Sequence, residues 1–190
     1  MNDDAIRCPW CEGDELYIKY HDEEWGVPVH DDYKHFEFII LETAQAGLSW
    51  LTILKKRENY RKAFDGFDFK RVAAYDESKV KRLMNDSGIV RNARKIRSAI
   101  MNANAFLKVI ERYGSFDNFI WKFVDFKPIM NRWERVDQIP PNTELSKKIS
   151  VEMKRLGFVF LGPTIVYSYM QAVGIVNDHI NSCFRKNISS

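Results

Sequence analysis

The sequence predicts an all-α fold. Apolar residues recur at steps of three and four through most of its 190 positions, and the apolar runs Val159-Phe160-Leu161 and Ile89-Val90 are too short to read as strands. No internal repeat and no domain-scale linker interrupts the pattern. With 45% hydrophobic residues, 1–190 reads as one unit, two helical lobes sharing a core.

The elements follow in order. Over 33–46, Phe36, Ile39, Ile40 and Ala44 share one helical face. Gly47 interrupts, and Ser49 is placed to cap a second helix over 50–64. Ile96, Ile100, Ala103, Leu107 and Ile110 form the stripe of a helix over 91–113, which Gly114 ends. A helix over 116–123 precedes an aperiodic loop over 128–141. Helices resume over 145–156, 163–173 and 178–184.

Composition narrows the classes. No run of about 18 apolar residues is present, so no membrane span is expected. The acidic start, Met1 to Asp4, lacks a signal peptide's basic and apolar regions. Three cysteines, an odd number, make a poor disulfide framework and point to a reducing cytoplasm. The net charge of +3 permits nucleic-acid binding without arguing for it, and nothing demands more than a monomer. The aromatic residues say more. Trp10, Tyr17, Tyr20, Trp25 and Trp50 crowd into the first fifty positions, in polar, turn-rich surroundings. Aromatics mostly build cores, but this arrangement suits a binding pocket as well.

Cys8 and His21 near one end, and His179 and Cys183 near the other, form a candidate tetrahedral metal set. Positions 179 and 183 would share a face of the helix over 178–184. All four positions would be filled, making the site structural: a staple between the chain ends. A lone helical histidine is more often a surface or hydrogen-bonded residue, and a buried cysteine an apolar filler, so spacing alone leaves the set open. Cys8-Pro9-Trp10-Cys11 as a redox pair lacks the preceding strand such motifs require. His30 and His35 read as surface residues.

Two further features carry chemistry. Glu42 lies beside the apolar stripe of its helix, where a carboxylate needs a partner or a pocket. Leu48, after Gly47, sits at a helix-to-helix corner from which it can protrude. Gly157 to Thr164 places Gly157 and Gly162 before a helix whose first turn carries Pro163 and Thr164. This stretch admits two readings: a cradle for a DNA phosphate, or a tight helix hairpin packed by Phe158 and Phe160.

Several strings resemble the DNA-3-methyladenine glycosylase I family. They are Cys8-x-Trp10 followed by Leu16-Tyr17-Ile18-x-Tyr20-His21-Asp22-x-Glu24-Trp25-Gly26-Val27-Pro28; Glu42 with Gln45-Ala46-Gly47-Leu48-Ser49-Trp50; Leu54 to Tyr60; and Gly157-Phe158 through Tyr167-Ser168-Tyr169-Met170-Gln171-Ala172 to Val176-Asn177-Asp178-His179. The resemblance covers essentially the whole chain and is weakest over 118–142. It implies a helix-hairpin-helix DNA glycosylase fold, with the hairpin at 157–164 and one structural zinc on Cys8, His21, His179 and Cys183.

The implied activity is monofunctional base excision repair: 3-methyladenine is flipped out of double-stranded alkylated DNA and released, leaving an abasic site. By the same resemblance Trp50 stacks on the base, Tyr17 and Tyr20 line its pocket, Trp10 and Trp25 complete the wall, and Glu42 accepts hydrogen bonds from the base edge. Gly47 and Leu48 match the family's wedge, while Gly157, Gly162 and Thr164 belong to the hairpin. Many members of the wider superfamily carry a catalytic aspartate in a Val-Asp motif; here Asn177 stands in that place. Asn177 or Asp178 then reads as the cap of the last helix. The rival from another class is a zinc-stapled module that binds DNA damage without catalysis.

Overall fold

The computed structural model describes residues 5–187; the acidic start at 1–4 lies outside the described residues. Polar caps set most helix starts. Asp14 accepts from the Leu16 N–H to open α1 (Glu15–Glu23), Asp31 from Lys34 to open α2 (Asp32–Gln45), and Ser49 from Thr52 to open α3 (Trp50–Ala63). Asp68, Asp76, Asn92 and Ser115 do the same for α4 (Phe69–Ala73), α5 (Glu77–Met84), α6 (Ala93–Tyr113) and α7 (Phe116–Trp121). A capping box between Thr143 and Ser146 opens α8 (Glu144–Arg155), and Pro163 occupies the first turn of α9 (Pro163–Ala172).

The predicted helices over 33–46, 50–64, 91–113, 116–123, 145–156 and 163–173 appear with ends shifted by one or two residues. Three short helices, α1, α4 and α5, carry too few apolar residues to mark a stripe, and periodicity did not expose them. The stripe predicted on α6 is rotated. Ala99, Ala103, Phe106 and Val109 are buried, while Ile100, Leu107 and Ile110 sit at its half-buried edge.

Two expectations need correction. The chain is not purely helical: β1 (Ile129–Met130) pairs in parallel with β2 (Val176–Asn177), Ile129 opposite Val176. The helix over 178–184 is absent. The Asn181 N–H donates across to the Trp133 carbonyl, Cys183 closes a turn on Ile180, and a short 3₁₀ turn follows at Phe184–Asn187. Neither Asn177 nor Asp178 caps a helix: the Asn177 side chain accepts from the His179 N–H, and Asp178 is wholly buried among side-chain donors.

α2 runs through the centre. Its residues from His35 to Ala44 are all buried, as expected of a helix enclosed on every side. Gly174 shows how closely the segments cross. With φ at +70°, a Cβ there would lie 2.4 Å from the backbone of Val27 and Pro28. That crossing brings the chain after α9 against the loop after α1. No helix among the described residues is long and apolar enough to cross a membrane.

Candidate active site and metal cluster

A helix buried on all sides must satisfy its ionisable residues. α2 carries three. Glu37 pairs with Arg57, Arg61 and Lys34, and Arg57 also takes both oxygens of Glu24, tying α3 to α1 and α2. His35, against expectation, is fully buried: it hydrogen-bonds the Tyr169 hydroxyl at 2.6 Å and Asp117 at 3.1 Å. His30 is exposed, as predicted. The third, Glu42, leaves its Oε2 buried without a hydrogen-bond partner. Burial alone pushes its carboxyl up from 4.5 to about 8, so at neutral pH it holds its proton.

Glu42 faces a cavity of about 340 Å³, at the small end of ligand pockets, which span roughly 300–1,000 Å³. Trp10, Tyr17, Tyr20, Trp25 and Trp50, the aromatic residues singled out in the sequence, line it with Glu42. Trp10 lies 4.9 Å from both Tyr17 and Trp25, and Tyr20 5.5 Å from Trp50. The Trp50 Nε1–H is also buried and unpartnered. Native proteins rarely leave two such atoms unsatisfied in one place, unless a ligand completes them. With the surrounding rings they suit a flat ligand that both donates and accepts hydrogen bonds. A larger groove of about 840 Å³, lined by Tyr113, Phe123, Lys148 and Glu152 among others, contains no such feature.

The opposite wall, Thr164 apart, has no counterpart in the sequence reading. Thr164, Tyr167, Ser168 and Gln171 come from the start and one face of α9, while Val136, Ile139, Pro140 and Pro141 come from the strap over 129–141. Asp178 joins the two. Its Oδ1 accepts from Asn131 Nδ2 at 2.7 Å and Trp133 Nε1 at 2.8 Å. Its Oδ2 accepts from the Tyr167 hydroxyl at 2.6 Å and Gln171 Nε2 at 2.7 Å. Four donors saturate a carboxylate, so Asp178 has no lone pair left for a water. No lysine lines the cavity among the described residues.

Gly47, at φ +80°, turns the chain after α2 and leaves Leu48 exposed beyond it. The Lys95 ammonium braces that corner, donating to the carbonyls of Ala44 and Ala46 at 2.8 and 2.7 Å. The connection from α8 to α9 begins as a Schellman turn: the Phe158 N–H returns to Met153 and Gly157, at φ +100°, to Lys154. Buried Asn102 then clamps the hairpin, donating to the Val159 carbonyl and accepting its N–H. Phe158 packs inward as expected. Phe160 does not: it is 43% exposed and held at φ +59°. Gly162 is exposed, and Thr164 reaches the cavity rim.

Behind the aromatic wall, Cys8, His21, His179 and Cys183 converge, all buried, with their donor atoms within 4.8 Å of one another. A turn, rather than a helical face, brings His179 Nδ1 to 3.5 Å from Cys183 Sγ. Cys8 Sγ lies 3.7 Å from His179 Nδ1, and Cys183 Sγ 3.4 Å from His21 Nε2. Tetrahedral zinc with ordinary bond lengths would space such donors by roughly 3.3–3.8 Å. The outer ring nitrogens are also engaged. His179 Nε2 donates to the Trp25 carbonyl at 3.1 Å and His21 Nδ1 to Asp22 at 2.7 Å, which turns the other nitrogens inward as lone pairs. The hydrogen bond shared with Cys183, together with burial, pushes the Cys8 thiol up, and the same bond, donated by Cys8, pulls Cys183 down. Cys11 stays outside the cluster, donating its thiol to the Cys8 carbonyl at 3.1 Å. The short turn Pro9–Cys11 thus sends Cys8 to the cluster and Trp10 to the cavity.

A family model described as methyladenine glycosylase matches residues 10–186. The DNA-3-methyladenine glycosylase 1 of Escherichia coli (strain K12) is 49% identical over 177 residues, covering 93% of this chain and 95% of that protein. A crystal structure of a 3-methyladenine DNA glycosylase I superimposes with a TM-score of 0.91 at 50% identity, over 94% of this chain and 98% of the other. The 3-methyladenine DNA glycosylase I of Staphylococcus aureus, solved for its recognition of 3-methyladenine, aligns with a TM-score of 0.93 at 35% identity, over 97% and 98%.

Proposed function

The chain belongs to the methyladenine glycosylase family, and from that membership we propose that it releases 3-methyladenine from alkylated double-stranded DNA by base excision. The observation that carries the reading is the unpartnered Glu42 carboxyl inside a cage of aromatic rings. Methylation at N3 gives the base a positive charge. A buried carboxyl that surrenders its proton to meet that charge gains an ion pair where water cannot compete. Stacking on Trp50 and its neighbours returns roughly 1–3 kcal/mol per base, against the few kcal/mol spent on flipping.

In the reaction the C1′–N9 bond breaks and its electron pair passes to the ring, which leaves as neutral 3-methyladenine. Water adds to C1′ and loses a proton, leaving an abasic site. The leaving group needs no external proton, so the pocket's task is capture and orientation. Asp178, saturated by its four donors, takes no part in water activation.

Leu48, at its exposed corner, acts as the wedge that fills the space left by the flipped base. α8, the turn over 157–162 and α9 form a helix-hairpin-helix that grips the DNA backbone, Thr164 standing where hairpin meets pocket. A zinc ion held by Cys8, His21, His179 and Cys183 staples the two chain ends. With four protein ligands it keeps no open position for substrate, and three sulfur–nitrogen separations of 3.4–3.7 Å support the reading. The chain works as one unit and as a monomer, its two helical lobes sharing the base pocket.

The test incubates the protein with methylated duplex DNA and separates the freed bases by chromatography. Release of 3-methyladenine supports the enzyme. Retention of the base, with tight binding to the damaged duplex, would instead identify a non-catalytic damage-binding module.

A further inference from the structure

The side of the pocket contributed by α9 has a fixed polarity. Gln171 lines the cavity and is half-buried. Asp178, wholly buried, lies 2.7 Å from one end of the Gln171 side-chain amide. A carboxylate whose lone pairs all receive donors can only accept, so the amide nitrogen must face it. The other end, Oε1, has no hydrogen-bond partner among the described residues. Asp178 is itself held by Trp133 Nε1, a group that can only donate, and by Asn131 and Tyr167. The orientation of Gln171 is therefore set from behind, before any ligand arrives.

We propose that Gln171 reads the flipped base, presenting Oε1 as a second acceptor besides Glu42, and that Asp178 is the positioning residue that holds it so. This rests on the glycosylase reading above. An adenine-type lesion carries an exocyclic amino group, a donor, where a guanine-type lesion carries a carbonyl, an acceptor. A fixed acceptor welcomes the first and leaves two lone pairs facing each other with the second. Discrimination between 3-methyladenine and 3-methylguanine then depends on an amide that cannot turn over.

The experiment measures binding of free 3-methyladenine to the purified, metal-loaded full chain through quenching of its tryptophan fluorescence. It also measures kcat/KM on duplexes carrying either lesion. Gln171→Met is expected to weaken free-base binding roughly tenfold and to narrow the preference for 3-methyladenine over 3-methylguanine by a similar factor, with melting temperature and affinity for an abasic-site duplex retained. Asp178→Asn releases the amide to turn and should have the same effect. In the double variant the two changes should not add, because one acts through the other.

Unchanged base binding and preference in Gln171→Met would overturn the assignment. Full additivity of the two variants would overturn the positioning role of Asp178. Should Asp178→Asn fail to fold, Gln171→Met decides alone. A wild-type protein that neither binds nor releases 3-methyladenine overturns the glycosylase reading and this inference with it. Wild-type release with an indifferent Gln171→Met variant removes only the inference.

Discussion

Replacing Glu42 by glutamine tests the buried carboxyl through stability as well as activity. In the unfolded chain Glu42 titrates near 4.5, and in the folded chain near 8. Between those values the folded state holds one proton more than the unfolded state, so stability falls as pH rises through that window and levels off above it. Each pH unit across the window is worth about 1.4 kcal/mol, so burial of this one group costs about 1 kcal/mol at pH 5 and roughly 4 kcal/mol at pH 8. Glutamine has the same shape and does not titrate. The Glu42→Gln variant should therefore gain roughly 3 kcal/mol on the wild type between pH 5 and pH 8. For a chain of this size that amounts to about 6–12 °C in Tm. Paired thermal melts at the two pH values measure it, and any constant effect of the new amide cancels. A Tm difference between variant and wild type that is the same at pH 5 and pH 8 would refute the claim that Glu42 is buried and unpaired.

Other outcomes follow from the same geometry. The wild-type kcat/KM for base release should rise with pH up to about 8, as Glu42 gives up its proton more easily, and the Glu42→Gln profile should be flat over that range; an equally steep variant would assign the titration elsewhere. Elemental analysis should find one zinc per chain, lost in His179→Ala together with several degrees of Tm, and a full complement in that variant would show a wrong ligand set. Leu48→Ala should leave Tm and free-base affinity intact and weaken abasic-duplex binding, whereas equal losses in both would count against a wedge. Phe160→Gly should relieve the positive φ and raise stability by about 1 kcal/mol; a fall in Tm would show that the exposed ring packs more than its surface suggests.

What the sequence made legible was what local chemistry dictates. Ser49 announces a cap, Gly47 and Gly114 announce breaks, and the stripe on α2 announces burial. Glu42 could be singled out because a carboxylate beside an apolar stripe has to be explained. His35, on that same helix, was misread because its partners, Asp117 and Tyr169, lie 82 and 134 residues away and no pattern marks them. Tyr167, Gln171 and the strap were missed for the same reason: they become a pocket wall only through Asp178, whose four donors come from two separate segments. The candidate metal set was legible by residue type, but the helical face expected to join two of its members does not form. His179 and Cys183 meet across a turn, since the segment after Asp178 hydrogen-bonds to the strap instead of coiling on itself.

One measurement bears most directly on the account: single-turnover release of 3-methyladenine from a duplex with one lesion, run side by side for the wild type and Glu42→Gln. Losing a charge-assisted hydrogen bond in a dry pocket should slow release at subsaturating enzyme by roughly 10- to 100-fold, with zinc content and abasic-duplex affinity unchanged. Release at the wild-type rate by a folded, metal-loaded Glu42→Gln protein would contradict the claim that this carboxylate captures the cationic base.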